Sequence, residues 1–179
     1  MENPTITPLK PSLVQTHKTY GLITGLIIVV LSAVIYVTGM QQASWVQWVL
    51  YAVFLGGLVL NASAFSKANG GTVSFGQLFS SGFKTTAIIV LLVVAWVIAS
   101  VYIFPDMKEN AIELARAKME QEGKLDADTM ETALNVTRNN FTTFVVMGSL
   151  FGYMILGLIF SLIAAAVTPR IKRSATSVV

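Results

Sequence analysis

Four stretches of the chain run for about 20 residues with almost no charge, the length an α-helix needs to cross a roughly 30 Å hydrocarbon core. They extend approximately over Tyr20 to Met40, Trp45 to Ala64, Thr85 to Phe104 and Phe144 to Thr168. The alternation that marks a membrane barrel strand is absent, and in lipid a helix is the one structure that satisfies its backbone within a single segment. The pattern predicts an all-α protein, an integral membrane four-helix bundle forming a single membrane domain.

The connections carry their own periodicities. After Gly70 and Gly71, the residues Phe75, Leu78, Phe79 and Phe83 recur at helical spacing among Ser, Gln and Gly. This predicts a short amphipathic helix within 72–83, lying in the membrane interface. The segment 105–141 reads as a helical hairpin. Pro105 marks the exit from span three, and Met107, Ala111, Leu114, Ala115 and Met119 form one apolar stripe. Gly123 suits a left-handed helix end. Asp126 is placed to cap the next helix, with Leu125 and Met130 at hydrophobic-staple spacing. Met130, Ala133, Leu134, Thr137 and Phe141 form the second stripe, on a helix free to run without a break into span four. The candidate interaction face is therefore Met107, Ala111, Leu114, Met119, Met130, Leu134 and Phe141.

At the N-terminal side, Pro4, Pro8 and Pro11 favour extended chain, and "SLVQ" offers a capping box between Ser12 and Gln15, predicting a helix start around Leu13. The first apolar run exceeds the core of a signal peptide and no small-x-small cleavage site follows in "MQQASW", so it is read as a retained span.

Composition agrees with a membrane class: 54% of residues are hydrophobic and 12% charged, about half the charge of a soluble domain. The mean hydropathy is +0.69. The bases flank the apolar runs at Lys10, Lys18, Lys67, Lys84, Arg170, Lys172 and Arg173. They form no stripe of their own, which argues against nucleic acid and for a lipid bilayer as partner. Lys and Arg near span ends stay cytoplasmic, so both termini are expected inside, with the hairpin outside an inner membrane. Eight of the nine acids fall in that hairpin.

Candidate chemistry is sparse. There is no cysteine, and His17 is the single histidine, with no acid or nucleophile near it in sequence. Asp126 with Asp128 and Glu109 with Glu113 could suggest a hard-cation site, but no calcium-loop pattern surrounds them. Solvated helix surface accounts for both pairs, and Arg116 with Glu120 and Lys118 with Glu122 are i,i+4 pairs of the same kind. The glycines around 70–82 match no phosphate-binding fingerprint. No catalytic residue, metal ligand or cofactor site is assigned. No ionisable residue falls inside a span core; Asn61 is expected to hydrogen-bond across the bundle. Gly21 with Gly25, and Gly157 with Ser161 and Ala165, form small-x-x-x-small tracks for close helix approach.

Four segments, "YGLITGLIIVVLSAVIY", "GGTVSFGQLFSSGFKTT", "IFPDMKENAIELARAKMEQEG" and "GLIFSLIAAAVTPR", resemble an uncharacterised bacterial family, domain of unknown function 4199, found largely among Bacteroidota. Gln77 departs from its usual form, in which an acidic residue often follows "SFG". The resemblance implies a four-span inner-membrane protein and supplies no activity. The expected role is a non-enzymatic scaffold or accessory protein acting through a homo-oligomer or a membrane or periplasmic protein partner. The alternative is a small channel or transporter for a neutral or lipid-like solute, and a membrane enzyme ranks third.

Overall fold

The computed structural model describes residues 13–171. Among them the chain is all-helical: α1 His17–Val37, α2 Ser44–Ala68, α3 Phe75–Ile103, α4 Asp106–Glu122, α5 Ala127–Asn139 and α6 Phe141–Val167, with a one-turn 3-10 helix at Met40–Gln42. The helices α1, α2, α3 and α6 are each long and apolar enough to cross a membrane, and they form the bundle. Both α1 and α6 pack against the central pair of α2 and α3. Ile28, Phe54, Leu58, Ile89 and Val93 fill the core, while Leu22, Leu26, Val30, Leu91, Phe151 and Ile155 remain exposed. In water that exterior would be prohibitive; against acyl chains it carries no cost. The protein is a multi-pass membrane protein.

Small residues let the helices approach. A Cβ added at Gly21 would lie 2.9 Å from Ile88 Cβ, and one at Gly25 would lie 2.6 Å from Leu92 Cδ1, both on α3. Gly157 of α6 faces Thr86 of α3, and Gly82 of α3 faces Ser161 of α6. Both tracks read from the sequence are thus used inside the chain. A further close approach, Gly57 of α2 on Thr24 of α1, lies outside any such track.

Element boundaries differ from expectation in three places. The first helix begins at His17, not Leu13, because the Val14 backbone is engaged elsewhere: Val14 N–H donates to Asn69 Oδ1 at 2.9 Å and Asn69 Nδ2 donates to the Val14 carbonyl at 3.1 Å. Ser12, proposed as its cap, lies outside the described residues, as do Lys10, Lys172, Arg173, Pro4, Pro8 and Pro11. The segment 72–83 is no separate helix; from Phe75 onward it is the start of α3. With 29 residues, α3 is roughly 43 Å long, well beyond the roughly 30 Å core. Finally, α5 does not run on into α6 unbroken; Asn140 (φ −113°, ψ 19°) interrupts them.

Candidate functional site

Ser74 caps α3 and sets the geometry of the bundle end that carries the exposed bases Lys18, Lys67, Lys84 and Arg170. Its hydroxyl accepts from Gln77 N–H at 3.2 Å, and Gln77 Oε1 accepts from Ser74 N–H at 2.7 Å, a reciprocal capping box. Before it, Gly70 and Gly71 take φ +68° and +72°, conformations that other residues resist. Gly71 N–H closes back on Ser66 O at 2.8 Å, and Gly71 O accepts from Ile171 N–H at 2.9 Å. Ser66 Oγ donates to Pro169 O at 3.1 Å. Both ends of the described chain are therefore stitched to the α2–α3 connection, and Arg170 lies 5.5 Å from the Phe75 ring centroid, a cation–π contact.

Asn61 sits fully buried beneath this surface. Thr16 Oγ1 donates to its Oδ1 at 2.8 Å, and its Nδ2 donates to Ser81 Oγ at 3.1 Å, so one amide links the entry to α1 with α2 and α3. Between the non-helical Leu13–Gln15 segment and α3 lies a cleft of about 260 Å³ lined by Leu13, Gln15, Phe65, Ser74, Gly76, Gln77, Ser80, Ser81 and Lys84. The stripe Gln77, Ser80, Ser81, Lys84 follows helical spacing, so one face of α3 supplies its polar wall. His17 is partly buried, and its Nδ1 has no hydrogen-bond partner among the described residues.

At the opposite end, the exit of α3 is held by Phe104 against Tyr36 (ring centroids 4.3 Å apart) and by Ser100 against Met107 Sδ at 3.9 Å. Trp45, Trp48 and Tyr102 are exposed there, the arrangement of an interfacial aromatic belt. Beyond this belt come α4 and α5. Pro105 precedes α4 with helical dihedrals, and Gly123 ends it at φ +60°. Asp126 caps α5 as its position in the sequence suggests: Oδ1 accepts from Thr129 N–H at 2.9 Å and Oδ2 from Thr129 Oγ1 at 2.8 Å. The Thr129 N–H, followed by its hydroxyl, holds the Asp126 carboxyl below the usual range.

The ion pairs of this helix pair are not the i,i+4 pairs anticipated. Arg116 joins Glu131 at 2.6 Å and Arg138 joins Glu109 at 3.5 Å, both between helices; Lys124 joins Glu122 at 3.1 Å. Seven residues back along α4, from Arg116 to Glu109, correspond to seven onward along α5, from Glu131 to Arg138. The helices are therefore antiparallel. Midway sit Ile112 and Leu134, the buried residues of α4 and α5. Both helices carry one pattern, Glu-x-Ala-(Ile/Leu)-x-x-x-Arg, as "ENAIELAR" and "ETALNVTR". Each Glu meets the other helix's Arg across a shared apolar centre.

The stripe read from the sequence is correspondingly shifted. Leu134 and Phe141 are buried, Met107, Ala111, Met119 and Met130 are partly buried, and Leu114 is exposed. Ile112 occupies the place expected of Leu114; the repeated octet was the signal that would have found it. No group of three metal-ligating side chains comes together among the described residues.

No curated protein and no solved structure matches the chain. The model of the family described as "Protein of unknown function (DUF4199)" matches residues 19–170, and the chain belongs to that family.

Proposed function

We propose that the protein is a non-enzymatic accessory or scaffold protein of an inner membrane, with the base-rich end and both termini in the cytoplasm and α4–α5 outside. Four exposed bases at one end, Lys18, Lys67, Lys84 and Arg170, support the orientation. The observation that carries the functional reading is the state of α4 and α5. Their own pairing takes up Ile112 and Leu134, and it leaves Leu114, Leu125 and Val136 exposed at 38%, 45% and 49%. A thin pair of helices gains from further burial, and a second copy or a membrane or periplasmic protein would supply it. Single cysteines at Leu114 and Val136, cross-linked in native membranes, test the reading. Adducts with a second copy or a defined partner are expected, and recovery of unmodified monomer from both positions would overturn it.

A conduit for a neutral or lipid-like solute is the second reading, favoured by the cleft at the base-rich end. The cleft's wall at Ser81 is backed by Asn61, which is fully buried and engaged on both sides. A path through the bundle would require those bonds to open, so solute flux that rises in Asn61→Ala would favour it over the first.

A further inference from the structure

The cleft between Leu13–Gln15 and α3 has a donor set that calls for an anion. Its one charged lining residue is Lys84, which has no ion-pair partner among the described residues. Gln77 Oε1 is occupied by Ser74 N–H, which leaves the Gln77 amide NH₂ as the free end of that side chain. Ser81 Oγ accepts from Asn61 Nδ2, so its own O–H is available to donate, and Ser80 adds another hydroxyl. Every described carboxylate lies in α4, α5 or the turn between them, at the other end of the molecule. Ammonium, amide and hydroxyl donors on one helix face, with no acid beside them among the described residues, suit a phosphate-type anion.

Depth in the bilayer then distinguishes a lipid from a solute. From Ile103, beside the aromatic belt, back to Lys84 is roughly 29 Å of helix, one hydrocarbon thickness. Lys84 thus stands at the boundary where lipid phosphates lie, and the cleft extends outward from it alongside the apolar Leu13 and Phe65. Its volume of about 260 Å³ falls short of the roughly 300–1,000 Å³ that encloses a whole drug-sized molecule, and fits a headgroup whose acyl chains stay in the bilayer.

We propose that this cleft seats the phosphate-bearing headgroup of an anionic membrane lipid, with Lys84 as counter-charge and Gln77, Ser80 and Ser81 as hydrogen-bond donors. The site goes beyond the accessory role above and does not depend on it, since lipid retention and cross-linking of α4–α5 are read separately. The test is native mass spectrometry of the full chain in mild detergent with phosphatidylglycerol or phosphatidylcholine of identical acyl chains. Wild type is expected to retain phosphatidylglycerol about tenfold better, equivalent to about 1.4 kcal/mol. Lys84→Gln should abolish the preference and Lys84→Arg keep it. Gln77→Glu should abolish it too, while preserving the cap, because Glu and Gln serve equally at that capping-box position. Unchanged melting temperatures confirm that the variants fold. Equal retention of both lipids by wild type, or undiminished preference in Lys84→Gln, would overturn the proposal. So would saturable binding of inorganic phosphate at Lys84 in protein that retains no lipid, because the site would then belong to a soluble anion.

Discussion

Substituting Gly157 by Ala puts one methyl group into the tightest part of the α3–α6 interface. The new Cβ would lie 2.9 Å from Thr86 Cβ and nearer still to both branches of that side chain. Carbon atoms in ordinary contact are about 3.5–4.0 Å apart, so the helices must separate locally by roughly 1 Å. Overpacking of this kind costs about 1–3 kcal/mol, and replacing a helical glycine returns about 0.5–1 kcal/mol. The net expectation is a loss of about 1 kcal/mol, up to about 2.5 kcal/mol. The same helix supplies its own control: nothing lies within 4 Å of a Cβ at Gly148 or Gly152, so Gly152→Ala should be neutral or mildly stabilising. Reversible unfolding in mixed micelles, followed by tryptophan fluorescence, reads all three variants. Adding Thr86→Ala to Gly157→Ala removes the two branch atoms and should recover part of the loss. If Gly157→Ala proves as harmless as Gly152→Ala, or Thr86→Ala leaves its cost unchanged, then the contact does not govern the packing of α6.

Other consequences can be checked in the same preparations. Asn61→Ala breaks two cross-bundle hydrogen bonds and should cost about 1–3 kcal/mol, since buried hydroxyls lose their partner; a loss below about 0.5 kcal/mol would mean that water or a neighbour replaces the amide. The Arg116–Glu131 pair is partly exposed on both sides, at 37% and 49%, so a double-mutant cycle to Ala should give a coupling of about 0.2–1 kcal/mol that shrinks at high salt. A coupling that is unaffected by salt would contradict the exposed geometry. The depressed pKa of Asp126 gives a stabilisation that is fully present above the ordinary carboxylate range and is lost as the pH falls through the lowered native value. Protection factors for amide exchange at Thr129 and the first turn of α5, corrected for the intrinsic pH dependence of exchange, should therefore fall on acidification. Asp126→Asn keeps the cap without the titration, and persistence of the acid effect in that variant would assign it to other groups.

The long apolar runs made the spans legible, because lipid leaves a 20-residue segment few alternatives to a helix. The turn chemistry at Gly123 and Asp126 was equally local and equally readable. What escaped was whatever the rest of the chain decides. Three Ser-x-x-Gln patterns stand in this sequence, at Ser12, Ser44 and Ser74; the last forms a capping box, while Ser44 is already inside α2, whose cap position is Ala43. At the first, the backbone of Val14 pairs with Asn69, 55 residues away, and Gln15 Nε2 turns to the Leu13 carbonyl, so no helix starts there. The inward face of α4 was misplaced for a related reason. Glu109 and Arg116 look like unpaired solvated surface in sequence, but each forms an ion pair with α5 on either side of Ile112, a pairing that appears once α5 lies alongside. The cleft at Lys84 is not legible in the sequence, since its opposite wall is the non-helical Leu13–Gln15 segment, whose local pattern predicts helix.

The bond from Ile171 N–H to Gly71 O has a consequence for the order of assembly. From Gly71 to Ile171 the ribosome adds 100 residues, which at about 5–20 residues per second takes roughly 5–20 s. Throughout that interval the α2–α3 connection lacks its last partner, and Ser66 lacks the Pro169 carbonyl. Closure of this end must follow delivery of α6 by the insertion machinery. A nascent chain arrested before Pro169 should therefore expose a single cysteine placed at Ser66 to thiol reagents that the finished protein excludes.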